Sequence, residues 1–173
     1  PDFCDQPICF ADPPGSPNTW LMEISVTEQS IAFVYNDLRY SNDPNIYNSI
    51  RVHRLGDGEL LYTIEEGLRT MALAPDGHTL VMATQGGELQ TRQLRDGAIL
   101  ESYAGYSAPV MGITFSPDSD IVAVEYLDKV VLHHLSDGAV LFTYPATQVA
   151  FAPNQERFAL GYAAGRMELR HLQ

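Results

Sequence analysis

Apolar residues along this chain come in short runs parted by turn-formers, and the runs follow the period of two that belongs to strands. In AILESYA, VMGITFS, IVAVEYL and KVVLHHL, residues 98–104, 110–116, 121–127 and 129–135, Val, Ile, Leu and aromatic side chains dominate. Some of these runs alternate polar with apolar, and others are almost wholly apolar. That mixture fits sheets whose central strands are buried on both faces between neighbours. No segment of about eleven residues carries a helical apolar stripe. The pattern predicts an all-β chain.

The runs repeat. Asp-Gly recurs in RLGDGELLYT, QLRDGAILESY and HLSDGAVLFTY, with Asp57, Asp96 and Asp137 separated by 39 and 41 residues. Proline followed by a turn-former recurs in LAPDGHTLVMA, FSPDSDIVAVE and FAPNQERFALG, with Pro75, Pro117 and Pro153 separated by 42 and 36. A leucine closes each of SIRVHRL, GELQTRQL, KVVLHHL and GRMELRHL, at Leu55, Leu94, Leu135 and Leu172, with spacings of 39, 41 and 37. Three independent markers with one period of about 40 residues predict a repeated unit of four short strands, as in propeller blades. Asp-Gly supplies the positive φ that tight hairpins need, and the proline turn supplies a second reversal in each unit.

The units fall at approximately residues 19–55, 56–94, 95–135 and 136–173. The first is the least regular, because residues 36–48, NDLRYSNDPNIYN, are inserted into it. Residues 1–18 are rich in proline and read as a strap or a degenerate first strand near Ile8 to Phe10.

Over residues 19–173 the chain resembles the WD-repeat β-propellers. FSPDS at 115–119 and LAPDG at 73–77 are similar to that family's turn between the second and third strands. VVLHHLSDGAVL and LQTRQLRDGAIL resemble its last strand, its inter-blade turn and the first strand of the next blade. Where the family often carries Trp-Asp, this chain has His53-Arg54, Arg92-Gln93, His133-His134 and Arg170-His171; the family's Gly-His survives only as Gly105-Tyr106. The resemblance implies a degenerate propeller and a platform for protein partners, with fold carrying over better than any site.

A net charge of −12 disfavours nucleic acid as a partner, and 45% hydrophobic with 18% charged residues reads as globular. No apolar run approaches the roughly 20 residues of a membrane-spanning helix, and PDFCDQPICF lacks the basic start and apolar core of a signal peptide. A soluble protein is expected, and a start at Pro1 is compatible with a mature form, a fragment or initiator removal. Cys4 and Cys9 permit a small disulfide loop, which would place the chain in an oxidising compartment; reduced packing as small hydrophobes is the equal alternative, so localisation stays open between cytoplasm and secretion.

Candidate chemistry is sparse. Adjacent residues of a strand point to opposite faces, so His133 and His134 are not expected to share a metal, and their place suits inter-blade packing or polar capping. Glu125 in VAVEYLD reads as an acid at a strand end, facing solvent or pairing with an arginine. Ser116 has a turn role available, no nucleophile elbow is present, and the Gly-Gly and Ala-Gly stretches are hairpins lacking a phosphate-loop lysine. No catalytic residue, metal ligand or cofactor site is therefore expected. The insertion offers Tyr35, Tyr40, Asp43 and Tyr47 as a candidate interaction loop, and lacks the ordered oxygens and closing acid of a calcium site.

An open arc of four blades would expose two apolar end faces, so completion by a protein partner or by self-association is expected, with a closed four-bladed ring, or a longer propeller of which this chain is a piece, as the alternatives. The sequence thus points to a non-catalytic propeller module for protein interaction or assembly. A secreted structural or accessory subunit of an enzyme or extracellular assembly is the second reading. Small-molecule or carbohydrate binding in the central channel is the third, using Tyr62, Tyr103 and Tyr144 of innermost strands, for which a structural role in each first strand is the better explanation.

Overall fold

The computed structural model describes residues 19–27, 30–37, 48–84, 86–103, 108–154 and 156–172. It is all-β, with a 3-10 turn at Ala163–Gly165 among the described residues. The first sheet contains β1 (Thr19–Val26), β2 (Ser30–Asp37), β3 (Asn48–Arg54) and β4 (Leu60–Glu65). The second contains β5 (Leu68–Leu73), β6 (Thr79–Thr84), β7 (Leu89–Gln93) and β8 (Ile99–Tyr103). The third contains β9 (Val110–Phe115), β10 (Ile121–Tyr126), β11 (Val130–His134) and β12 (Val140–Tyr144). The fourth contains β13 (Gln148–Phe151), β14 (Arg157–Gly161) and β15 (Met167–His171). Strands follow chain order in every sheet, and all neighbours are antiparallel.

The hydrogen bonds correct the strand assignment in one respect. VVLHHL and AVLFTY are the paired third and fourth strands of one sheet, so the Asp-Gly turn between them is a hairpin inside a sheet and not a passage between blades. Tyr62, Tyr103 and Tyr144 consequently sit on β4, β8 and β12, the fourth strands, and not on first or innermost strands. A period fixes how far apart equivalent strands lie; it does not say which strand begins a sheet. The fourth sheet has three strands among the described residues, one fewer than the others.

Successive sheets pack face to face. Ile50, Val52 and Ile64 of the first sheet meet Leu68, Met71, Leu80 and Met82 of the second. Ala83 and Leu89 meet Val110, Val124 and Tyr126 of the third, and Val130 and Leu132 meet Val149, Phe158 and Leu160 of the fourth. Fully burying one such aliphatic side chain contributes about 1.5–3 kcal/mol, so these seams hold the sheets together. The first strands of successive sheets, β1 with β5, β5 with β9 and β9 with β13, lie side by side, which puts the fourth strands at the far edge. Among the described residues no contact of comparable extent joins the first sheet to the fourth.

Candidate functional site

The Asp-Gly turns are built alike. In each, the glycine has φ of 74°, 73° or 67° (Gly58, Gly97, Gly138), a backbone region that side chains disfavour. The aspartate carboxylate accepts the amide two residues on: Glu59 at 3.1 Å, Ala98 at 3.1 Å and Ala139 at 3.0 Å. These bonds lower the pKa of Asp57 and Asp96, because the ionised carboxylate is the better acceptor. A register shift falls at the same place in each sheet, at His53, Arg92 and His133. It lets that large polar side chain reach the carbonyl of the turn glycine. Arg92 Nη1 donates to Gly97 O at 3.1 Å; the Nδ1 atoms of His53 and His133 lie 3.1 and 3.0 Å from Gly58 O and Gly138 O. All three residues are buried.

The turn glycines have a second use, at the seam with the preceding sheet. Tyr62 covers Gly97 and Tyr103 covers Gly138, so closely that a Cβ on Gly97 would meet the Tyr62 ring at 2.9 Å and one on Gly138 would overlap the Tyr103 ring. Burial pushes the pKa of both tyrosine hydroxyls up. The fourth-strand tyrosine of one sheet and the turn glycine of the next therefore form a latch.

The last sheet presents the same parts with nothing laid over them among the described residues. Met167 and Leu169 on β15 are 81% and 64% exposed, whereas Ile50, Val52, Leu89, Val130 and Leu132 at the equivalent places in β3, β7 and β11 are exposed by 4% or less. Arg170 stands where Arg92 and His133 stand, but its Nη2 and Nε donate to Glu168 Oε2 at 2.7 and 3.1 Å. The Tyr162 hydroxyl and Arg166 also bond Glu168, and Arg170 first among them holds its carboxyl at about 2. The Arg170 guanidinium lies 5.4 Å from the centre of the Tyr144 ring, and Phe142, 49% exposed, stacks on Tyr144 at 6.0 Å.

Met167, Leu169 and Arg170 were not singled out by the sequence as an exposed surface. Of the candidate interaction loop, Tyr35 lies on β2 opposite Leu21 and Ser49, while Tyr40, Asp43 and Tyr47 lie outside the described residues, as do Cys4, Cys9 and the rest of segment 1–18.

His133 and His134 diverge: His133 is buried against its turn, and His134 faces outward, with Nδ1 2.8 Å from Ser136 Oγ and 3.4 Å from Asp137. Ser116 serves its turn, since its hydroxyl accepts the Ile121 amide at 2.9 Å and bonds Asp118 at 2.5 Å. Glu125 departs from expectation. Its carboxylate turns into the seam with the fourth sheet and accepts the Val149 amide at 2.9 Å, over Gly112, whose missing Cβ leaves it room.

Among the described residues no helix is long and apolar enough to cross a membrane. No family model matches the chain. It is similar to an uncharacterized WD repeat-containing protein of Synechocystis sp., at 28% identity over 124 residues, 66% of this chain and 35% of that protein. The chain thus spans about a third of the length of this relative. The likeness supports the WD-repeat resemblance drawn from the Asp-Gly and Pro-Asp turns.

Proposed function

We propose that this chain is a non-catalytic propeller module whose function is protein assembly, and that the outer face of its last sheet is the surface through which it assembles. The observation that carries this reading is the exposure of Met167 and Leu169, at 81% and 64%, at positions buried in each of the three preceding sheets. Adjacent large apolar groups held flat on a sheet are a contact surface when the equivalent groups are all covered by a further sheet. The partner that fits is another β-sheet with an apolar face, like the face that Val149, Phe158 and Leu160 offer to the third sheet.

Sedimentation equilibrium of the chain, with an apolar fluorescent dye as a second readout, tests this. Association that is lost in Met167→Glu/Leu169→Glu, or a monomer that binds dye and loses it in the same variant, supports the reading. A stable monomer that binds no dye overturns it.

A further inference from the structure

We propose that the groove between the second and third sheets binds an extended, arginine-bearing segment of a partner protein. No residue that lines it belongs to the fourth sheet, so the site stands whatever covers Met167 and Leu169. The groove is a cavity of about 450 Å³ at the turn-bearing end of the seam. Asp76 of the β5–β6 turn, Asp118 and Asp120 of the β9–β10 turn, and Glu101 of β8 line it. None of these four carboxylates is in an ion pair among the described residues, and His134 is the one lining side chain able to carry positive charge. Leu100 and Leu135 supply an apolar wall between the acids. No group of three His, Cys, Asp or Glu side chains among the described residues could hold a metal ion. Charge spread over two sheets fits an organic cation with some length and not a bare ion.

The fold does not impose this charge, because the preceding seam carries the same groove with the opposite sign. Between the first and second sheets lies a cavity of about 560 Å³. Ser30, Leu61 and Leu94 stand there where Thr79, Leu100 and Leu135 stand in the second groove. Gly77 and His78 take the places of Ser119 and Asp120, and Arg95 takes that of Ser136. The arginines of this first groove are already matched by acids: Arg54 meets Asp57 and Glu59, both at 2.8 Å, and Arg95 meets Asp96 at 3.1 Å. One scaffold thus holds one groove neutralised from within and one whose charge is left to a guest. Burying unpaired carboxylates under a neutral guest would be costly, so electrostatic complementarity selects a cation.

A feature independent of charge points to a peptide. Ser119 is only 6% exposed and lines the groove. Its Oγ accepts the Asp76 amide at 2.9 Å, which braces the two turns across the seam, and its hydroxyl proton has no acceptor among the described residues. A buried hydroxyl that donates to nothing costs free energy, and a main-chain carbonyl of the guest would accept from it. Arginine suits the remaining surface. Its aliphatic stem can lie along Leu100 and Leu135 while the planar fork reaches the carboxylates at the rim.

The test titrates the full chain with the peptide acetyl-GRVRG-amide, followed by amide NMR shifts and calorimetry. Saturable binding that shifts the amides of Thr79, Glu101, Ser119 and Leu135 is expected, and replacing both arginines by citrulline, which keeps their shape without their charge, is expected to abolish it. Ser119→Gly/Asp120→His gives the second groove the residues of the first and is expected to weaken binding about tenfold. That variant should fold, since Gly77 and His78 already serve the equivalent turn and glycine suits the φ of 66° at Ser119. Asp128→Asn removes one charge from an exposed turn outside the groove and is expected to leave binding unchanged. The proposal is overturned by no saturable binding, by equal binding of the citrulline peptide, or by shifts centred on Arg54 and Arg95 or scattered over the surface. An equal loss in Asp128→Asn also overturns it, because attraction to the net charge alone would then account for the binding.

Discussion

Gly138 holds a positive φ of 67° beneath the Tyr103 ring, so alanine there faces two costs: backbone strain and collision with the ring. Gly165 has φ of 80° and nothing within 4 Å, so alanine there faces only the first. Gly138→Ala should therefore destabilise the chain by about 2–4 kcal/mol and Gly165→Ala by about 1 kcal/mol. Urea unfolding of the two variants reads the difference, which is the worth of the latch; equal effects would mean that the tyrosine moves aside without cost. Glu125→Ala leaves the Val149 amide without its acceptor at the seam, a loss of about 1–3 kcal/mol, while Glu125→Gln keeps an acceptor oxygen and should lose less. Amide exchange at Val149 would quicken in the first variant and stay near wild type in the second. The special conformation of these glycines was legible in the sequence, because Asp-Gly names its own turn. The use of Glu125 was not, since an acid in an apolar strand looks alike whether it meets water or the amide of a neighbouring sheet.

The turns are the element whose chemistry responds to pH. Asp57 and Asp96 are held below the usual carboxylate range by the amides they accept, and Asp118 by the Ser116 hydroxyl. A depressed folded-state pKa gives stability that is full above the unfolded value of about 3.9 and fades as pH falls through the folded value. Stability should be level from about pH 7 to about pH 5 and decline below about pH 4. Ser116→Ala should shift the Asp118 titration, followed by NMR, back toward the ordinary value; an unmoved titration would show that the turn amides alone hold it down. Strands and turns were readable because apolar periodicity and turn residues are local signals. The grouping of strands into sheets was not: β8 and β9 adjoin in sequence, yet only hydrogen bonds place β8 beside β7. That is why the tyrosines of β4, β8 and β12 were expected at the centre and stand at the outer edge.

At the scale of the whole molecule, the period of about 40 residues foretold repeated sheets and the problem of their end faces. It did not foretell which residues would stand uncovered, because Met167 and Leu169 follow the same apolar pattern as Val130 and Leu132, which are buried. Exposure there is decided by what packs against the sheet and not by the sheet's own sequence. The segment with Tyr35, Tyr40, Asp43 and Tyr47 is a second proposed contact, since aromatic side chains favour protein interfaces. Its replacement by a short Gly-Ser linker should leave assembly through the last sheet intact, by sedimentation. The central claim, that the last sheet is an unsatisfied blade face, is tested most directly by sedimentation equilibrium of the chain beside Met167→Glu/Leu169→Glu with dye binding in parallel. The account predicts association, or dye binding by the monomer, that the double substitution removes without loss of β structure. A wild-type chain that stays monomeric at every concentration and binds no dye would contradict it.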